Sequence, residues 1–276
     1  MEVREQLPQT DEFDETAFVE TLRSAAVAVG VPLSDKQIAQ CVRYTGLLLE
    51  TNAHTNLTRI TEAREVAIKH FADSLTVLRP HPLSPLSLGG ERGERGEGGA
   101  GVKATLCDVG TGAGFPGIVL KIAYPDLRLT LLDSLQKRLT FLEKVCADLK
   151  FPDVQFVHSR AEDGGRNRVL RDGFDIVTAR AVAALPTLLE WCTPLVKPGG
   201  HFIAMKSGAV EDELATATDA ATALKVRLIE NRALTLPVLP GSDEPPAERR
   251  ILVYRKTAPT PTLFPRSSAE IKRKPL

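Results

Sequence analysis

The sequence predicts an α/β protein with a Rossmann-like, mostly parallel seven-stranded sheet, an antiparallel edge and a small helical unit before the sheet. From residue 104 onward, short apolar runs alternate with amphipathic stretches, a pattern typical of strands and helices that build a parallel sheet. The runs 226–236 and 249–256 differ, because only a loop rich in Pro, Gly and acidic residues separates them. A short loop joins antiparallel strands, since parallel strands need a long crossover.

The individual elements follow from the spacing of the apolar residues. Amphipathic helices are predicted at 13–29, at 35–50 with Ser34 as N-cap, and at 62–79, with 54–58 as a loop before the third helix. The other predicted strands are 104–109, 127–133, 154–159, 174–179 and 201–206, and the helices between them are 115–123, 136–149, 185–195 and 209–224.

Four regions divide the chain. The helical unit spans 13–79, the α/β domain spans 104–258, and 259–276 is a basic C-terminal tail. Residues 80–103 are predicted to be a disordered linker or insertion. Within them, 80–101 holds seven glycines and three prolines, and such a segment buries too little apolar surface to offset its ordering entropy.

The composition excludes two classes of protein. Of the 276 residues, 25% are charged and 43% are hydrophobic, so a fully disordered chain is excluded. No run approaches the ~18 apolar residues of a membrane-spanning helix. The acidic N-terminal stretch lacks the apolar core of a secretory signal, so we expect a cytoplasmic protein without a membrane partner. Basic and acidic residues number 35 each, so the net charge identifies no partner.

The cysteines point to packing and not to metal binding. Cys41, Cys107, Cys146 and Cys192 are far apart and form no CxxC pair, and three of them lie in apolar segments. We therefore expect buried, reduced thiols and no metal site.

A glycine-rich loop follows the first predicted strand of the α/β domain, in LCDVGTGAGFPG (106–117). Gly110, Gly112 and Gly114 let the backbone approach a ligand that a Cβ would exclude. Asp133 ends the next strand, 19 residues after Gly114, where a carboxylate accepts both ribose hydroxyls of an adenosine. A dinucleotide and S-adenosylmethionine both fit this pattern.

Three features favour S-adenosylmethionine. Asp108 suits a cationic amino acid moiety better than a pyrophosphate, and Pro116 removes an N–H donor that a pyrophosphate would use. The antiparallel edge also departs from the six parallel strands of dinucleotide domains. After the third strand, Ala161 and Glu162 are placed to read an adenine through a backbone N–H and a side-chain acceptor, although Glu162 as a helix cap is an alternative.

The segment FDIVTARAVA (174–183) indicates which kind of atom could accept a methyl group from S-adenosylmethionine. It contains neither an acceptor that would orient an exocyclic amine nor a cysteine nucleophile. A ring nitrogen such as guanine N7 carries an in-plane lone pair and needs only positioning. Arg180 suits the O6/N7 edge of guanine, but a contact with cofactor or phosphate, or an ordinary salt bridge, stays open.

Six segments together resemble one family. DVGTGAGFPG, LLDSLQKRLTFL, SRAED, FDIVTARAVA, PLVKPGGHFIAMKSG and RRILVYRK are similar to the bacterial 16S ribosomal RNA guanine-N7 methyltransferases, the glucose-inhibited division protein B family. The resemblance covers about 40–79 and 104–276, and this chain departs from the family in the insertion at 80–101. It implies a class I methyltransferase that uses S-adenosylmethionine and acts on 16S ribosomal RNA or the small ribosomal subunit, and we expect a monomer without a metal.

The resemblance also implies site residues. The cofactor contacts fall on Gly110, Phe115, Asp133, Ser134, Leu135, Ala161, Glu162 and Arg180, to which the loop adds Asp108, Gly112 and Gly114. Further polar positions linked to activity fall on Asn56, His70, Asp73, Arg160 and Lys206. We assign DSL (73–75) to structure. Taken singly, His70, Asn56 and Lys206 also fit a helix histidine, a turn residue and a solvated strand end.

Two other functions compete with methyl transfer. An NAD-dependent oxidoreductase would need a catalytic Lys/Tyr or His/Asp set beyond the glycine loop, and the sequence offers no convincing one. A catalytically silent RNA- or ribosome-binding module would tolerate a damaged glycine loop or the loss of Asp133, and both are intact.

Overall fold

The computed structural model describes residues 13–78, 104–180, 182–239, 241 and 245–276. Its seven-stranded sheet has the order β3-β2-β1-β4-β5-β7-β6. The strands are β1 (Thr105–Val109), β2 (Arg128–Asp133), β3 (Gln155–His158), β4 (Phe174–Arg180), β5 (Val196–Ser207), β6 (Val226–Thr235) and β7 (Glu248–Lys256). Strands β1 to β5 pair in parallel, and β7 pairs antiparallel with both β5 and β6. The predicted antiparallel edge is confirmed, whereas the predicted linker at 80–103 lies outside the described residues.

The helices include two that the sequence did not predict. The helices are α1 (Glu15–Ala28), α2 (Asp35–Thr55), α3 (Ala63–Glu65), α4 (Asp73–Leu75), α5 (Gly117–Ala123), α6 (Gln136–Asp148), α7 (Ala161–Arg166), α8 (Leu185–Cys192), α9 (Glu211–Ala223) and α10 (Ser268–Arg273). Both α7 and α10 are only six residues long, too short for a helical period to show. In α10 the capping box of Ser267 and Glu270 supplies the start signal within the predicted basic tail.

Local signals set the bounds of α2. Ser34 caps it as predicted, in a capping box with Gln37. The helix ends where Asn56 enters the left-handed region at a φ of 51°, a conformation that asparagine tolerates. The helix therefore extends five residues beyond the predicted end at 50, into the segment predicted as a loop.

The third helix of the N-terminal region is irregular. A π-helical segment, Val66–Ala72, connects α3 to α4, and a 3-10 turn, Thr76–Leu78, closes the helix. We call the whole run the 63–78 helix. It is buried at His70, Phe71 and Asp73, and π-helical segments of this kind often occur at functional sites.

One core joins the N-terminal helices to the sheet. The Phe71 ring lies 5.3 Å from Phe18, 5.6 Å from Tyr44 and 5.5 Å from Phe115, between ring centroids. Leu106, Ile118 and Leu131 of the α/β region belong to the same buried cluster. The helical region is thus packed onto the sheet, and the glycine loop lies at their junction.

The four cysteines are buried and reduced, as predicted. Burial raises the pKa of Cys146 to about 12 and that of Cys107 well above its usual value. Among the described helices, none has the length and apolarity to cross a membrane. The described residues also contain no group of three His, Cys, Asp or Glu side chains placed to hold a metal ion.

Candidate active site

The glycine loop between β1 and α5 depends on backbone angles that favour glycine. Gly110, Gly112 and Gly114 have φ values of 67°, 61° and 102°, in the left-handed region. The Gly112 N–H donates to Asp133 Oδ2 at 2.9 Å, which ties the loop to the end of β2. A Cβ on Gly112 would meet nothing closer than the Gly110 carbonyl at 3.9 Å, so the loop leaves space for a ligand there.

Asp108 lies beneath this loop and is bonded to groups of the chain itself. It is fully buried, and its carboxylate accepts hydrogen bonds from Thr111 at 2.7 Å, from the Gly117 N–H at 3.0 Å and from Thr178 at 3.2 Å. Burial raises the pKa of Asp108, and these hydrogen bonds oppose the rise. Asp108 therefore holds the loop in shape, and its contact with a cationic moiety stays a prediction.

A first cavity of about 460 Å³ opens above the carboxyl ends of β1, β2 and β4. We call it the cofactor cavity. The predicted site residues that line it are Gly110, Gly112, Asp133, Ser134, Arg160, Ala161, Glu162 and Arg180. This is the edge where open α/β sheets place their ligands. Asp133 is buried and keeps its carboxylate at the wall of the cavity, within 3.3 Å of Arg138.

Besides Asp108, three predicted cofactor residues do not line this cavity. The Leu135 N–H donates to Asp133 Oδ1 at 2.9 Å, so it fixes the carboxylate from behind. Phe115 stacks on His70 with 4.4 Å between ring centroids and on Tyr44 with 5.2 Å. Gly114 lies against Tyr44, where an added Cβ would come within 2.5 Å of the hydroxyl oxygen. Phe115 and Gly114 thus connect the loop to the N-terminal helices.

A second cavity of about 340 Å³ lies on the other side of Arg180. We call it the acceptor cavity. Its walls come from the 63–78 helix and from the adjoining ends of β5 and β7, and they include His70, Asp73, Lys206 and Arg249. Arg180 lines both cavities, so a group bound in one lies next to a group bound in the other.

Charged side chains cluster around the acceptor cavity. Asp73 accepts from Arg180 at 3.1 Å through one carboxylate oxygen and from Arg249 at 3.0 Å through the other. Lys206 donates to the Ala183 carbonyl at 3.0 Å and pairs with Glu213 at 2.8 Å. Lys69, also on this wall, pairs with Glu65. Asp73 thus places two arginines beside the cavity.

His70 lies between Thr58 and Arg180 and is held in its neutral form. Its Nε2 is 2.8 Å from Thr58 Oγ1 and its Nδ1 is 3.3 Å from Arg180. Burial, and then the positive charge of Arg180, lower the pKa of His70 to about 3. The guanidinium of Arg180 also lies 5.2 Å from the Phe115 ring centroid, within the range of a cation–π contact.

The remaining predicted residues divide between the site and the scaffold. Arg160 precedes α7, is exposed, and lines the cofactor cavity without an ion pair to any residue within the described ranges. Asn56 is the exposed C-cap of α2, and it lines neither of the two cavities. The structure therefore brings Arg160 into the cofactor cavity and leaves Asn56 outside both cavities.

Several lining residues were not predicted from the sequence. Arg138, Trp191, Ser268 and Lys272 line the cofactor cavity, and Arg249 lines the acceptor cavity. Arg138 follows Asp133 by five residues in the DSLQKR segment, a signal that was available. Trp191 and the residues of α10 come from elements distant in sequence, so only the folded chain shows them together.

The fold and site define a class of protein. Strand β7 is antiparallel to β5 in the order β3-β2-β1-β4-β5-β7-β6, which differs from the all-parallel 3-2-1-4-5-6 order of dinucleotide domains. With the glycine loop and Asp133 at the switch point, this is a class I methyltransferase. The cofactor cavity fits S-adenosylmethionine, since Gly112 leaves space there and the buried Glu162 Oε1 has no partner in the described part of the chain.

Sequence comparison identifies the family. Residues 98–236 match the family GidB, rRNA small subunit methyltransferase G. The protein named "Ribosomal RNA small subunit methyltransferase G" from Lactobacillus acidophilus is 47% identical over 244 residues, covering 88% of this chain and 93% of its own. Its namesake from Alkaliphilus metalliredigens is 41% identical over 255 residues, covering 92% and 97%. The chain belongs to this family, and S-adenosyl-L-methionine is its methyl donor.

Comparison with solved structures gives a more distant likeness. A precorrin-6y C5,15-methyltransferase from Geobacter metallireducens superposes with a TM-score of 0.44 at 18% identity, covering 56% of this chain and 80% of that protein.

Proposed function

We propose that this chain transfers the methyl group of S-adenosylmethionine to N7 of a guanine in 16S ribosomal RNA. The observation that carries the proposal is the position of Arg180, which lines the cofactor cavity on one side and the acceptor cavity on the other. Methyl transfer requires the acceptor atom in line with the sulfonium methyl. Two cavities that share one wall residue place the two binding sites side by side, which supports such an arrangement.

The residues of the acceptor cavity suit an acceptor that needs no base. His70 is neutral and uses both ring nitrogens within the protein, on Thr58 and Arg180. Thr178 donates to Asp108 and is turned away from the cavity. Guanine N7 carries its lone pair in the ring plane, so its attack releases no proton, and the side chains have only to orient the base.

The cofactor cavity supplies the other half of the arrangement. S-adenosylmethionine carries an electrophilic methyl group on a sulfonium centre. When the methyl group is transferred, the sulfonium becomes the neutral thioether of S-adenosylhomocysteine. Asp133 is placed to accept the ribose hydroxyls, and Glu162 lies beyond the end of β3, where we expect the adenine. Arg180 and Lys206 orient the base or a neighbouring phosphate, while Arg160 lies at the rim of the cofactor cavity.

The partner follows from the family and from the charges. The relatives carry the name of small-subunit ribosomal RNA methyltransferases. Lys69, Lys206 and Arg249 provide positive charge on the wall of the acceptor cavity, which favours a phosphate backbone. We infer a cytoplasmic protein that acts as a monomer on 16S ribosomal RNA or on the small subunit, and light scattering of the purified protein tests the monomer.

Methylation of small-subunit RNA tests the proposed reaction. Purified protein, S-adenosylmethionine with a labelled methyl group and unmodified small subunits or their RNA are expected to give labelled N7-methylguanine, mapped by chain cleavage at the modified base. Lys206→Ala should reduce transfer and leave cofactor affinity near wild type. Lys197→Ala, on the same strand and outside the acceptor cavity, is the matched control. A label on an exocyclic amine or on adenine would contradict the proposed acceptor atom.

A further inference from the structure

Two residues that line the cofactor cavity each carry a polar atom without a partner among the described residues. Glu162 is 4% exposed, and its Oε1 is buried without a hydrogen bond among the residues that the structure describes. Trp191 lines the same cavity, and its indole Nε1 is likewise buried and unpartnered among those residues. A buried donor and a buried acceptor without partners are costly, so a ligand that satisfies both binds there at an advantage.

The basic segment 259–276 contributes Ser268 and Lys272 to the lining of this cavity. Arg266 donates two hydrogen bonds to the carboxylate of Glu190 in α8, from Nε at 2.9 Å and from Nη2 at 2.6 Å. The Glu190 side chain is fully buried. From the other side, Arg171 donates to the carbonyl oxygens of Thr260 and Phe264. The segment is therefore anchored to the α/β region, and it carries α10 onto the cavity.

Helix α10 presents two side chains to the cavity wall. Ser268 and Lys272, one turn apart, both line it together with Trp191. Lys272 is exposed, as is Lys274 two residues later, but Lys274 does not line the cavity. Lysine stems commonly cover apolar surface while the ammonium stays in water, so Lys272 is positioned to cover the face of a planar ring.

We propose that Trp191 and α10 complete the adenine end of the cofactor cavity. An adenine edge offers an amine donor beside a ring-nitrogen acceptor, which complements the Glu162 carboxylate and the Trp191 N–H. Lys272 covers the exposed face of the base. This inference rests on the proposed function, in that it takes the adenosine of S-adenosylmethionine as the occupant.

Calorimetry with S-adenosylhomocysteine tests the edge contacts. Trp191→Phe keeps an aromatic six-membered ring and removes the N–H, so the dissociation constant should rise roughly threefold to tenfold, as for one neutral hydrogen bond. With the unchanged protein, S-inosylhomocysteine, which has a keto group in place of the 6-amino group, should bind at least roughly tenfold more weakly because it faces the Glu162 carboxylate with an acceptor. Equal dissociation constants for S-adenosylhomocysteine and S-inosylhomocysteine would overturn the proposed hydrogen bond between the 6-amino group and Glu162.

Paired lysine variants test the part played by α10. Lys272→Ala should raise the dissociation constant about threefold, equivalent to re-exposing ~25 Å² of ring surface. Lys274→Ala removes the same charge from the same segment and should change nothing. Equal dissociation constants for Lys272→Ala and the wild type would show that α10 does not contribute to the site. Failure of the wild-type protein to bind S-adenosylhomocysteine would overturn the proposed function as well, so the two failures are distinguishable.

Discussion

Arg180 and Asp73 form an ion pair of 3.1 Å that joins the carboxyl end of β4 to the 63–78 helix. Asp73 is buried, and its second carboxylate oxygen receives Arg249 of β7 at 3.0 Å. One carboxylate thus fixes two arginines on the wall of the acceptor cavity. The sequence left a salt bridge and a site contact as alternatives for Arg180, and the structure shows that it has the ion pair and also lines both cavities.

Replacement of Arg180 is expected to reduce both activity and stability. Arg180→Ala should lower methyl transfer by orders of magnitude, because no other described side chain lines both cavities. It should also lower the free energy of unfolding by about 1.5–3 kcal/mol, since buried Asp73 loses one of its charged partners. Turnover on unmodified small subunits and thermal unfolding of the same preparations measure the two effects.

A lysine at this position separates the two roles. Arg180→Lys keeps a charge for Asp73 and should recover part of the stability, but it lacks the planar fork and should recover little activity. Normal turnover by Arg180→Ala would exclude Arg180 from the site, and normal turnover by Arg180→Lys would show that the site does not use the planar fork.

Two glycines in the loop should respond differently to alanine. Gly114→Ala places a Cβ 2.5 Å from Tyr44 Oη and 2.7 Å from Leu142 Cδ2, at a φ of 102°. Overpacking and left-handed strain together should cost roughly 2–5 kcal/mol of unfolding free energy. At Gly112 the Cβ meets only open space, so the strain alone, about 1–2 kcal/mol, is expected.

Cofactor binding distinguishes these two variants further. Gly112 lines the cofactor cavity and Gly114 does not. Gly112→Ala should therefore stay folded, as chemical denaturation would show. Calorimetry should nevertheless show weaker binding of S-adenosylmethionine than in the wild type. Unchanged affinity in Gly112→Ala would mean that the cofactor does not approach this part of the loop.

Asp133 is expected to contribute directly to cofactor affinity. Asp133→Ala should weaken S-adenosylmethionine binding by about 1.5–3 kcal/mol, the usual range for lost hydrogen bonds to a charged group. Part of this effect comes from the loop, because the N–H groups of Gly112 and Leu135 lose their acceptor. Asp163→Ala, an exposed acid in α7 outside the cavity, is the matched control. Tight NAD binding without a response to S-adenosylmethionine would contradict the assignment of the cofactor.

The contrast between Asp133 and Trp191 shows what the sequence alone predicts. Asp133 follows a strand at a fixed distance from a glycine loop, so local pattern and sheet geometry place it in the cavity. Trp191 and Lys272 reach the same cavity through packing between distant segments, and the direction of Asp108 depends on three hydrogen bonds that no spacing encodes. The π-helical segment that carries His70 is buried, and it departs from the 3.6-residue period on which helix prediction depends.

His70 is expected to make the folded state sensitive to acid. Its pKa is about 3 in the folded protein and 6.5 in an unfolded chain, so the unfolded state binds the extra proton in the range between these values. The contribution of neutral His70 to the free energy of unfolding is then fully present above pH 6.5 and is lost as the pH falls toward 3. Between pH 7 and pH 5 the loss is about 2 kcal/mol. Chemical denaturation at these two pH values should show this loss, and His70→Gln should reduce it by that amount. His54→Gln, an exposed histidine in α2, should keep the wild-type dependence. A His70→Gln protein with the same dependence as the wild type would show that His70 is not held neutral by its burial beside Arg180.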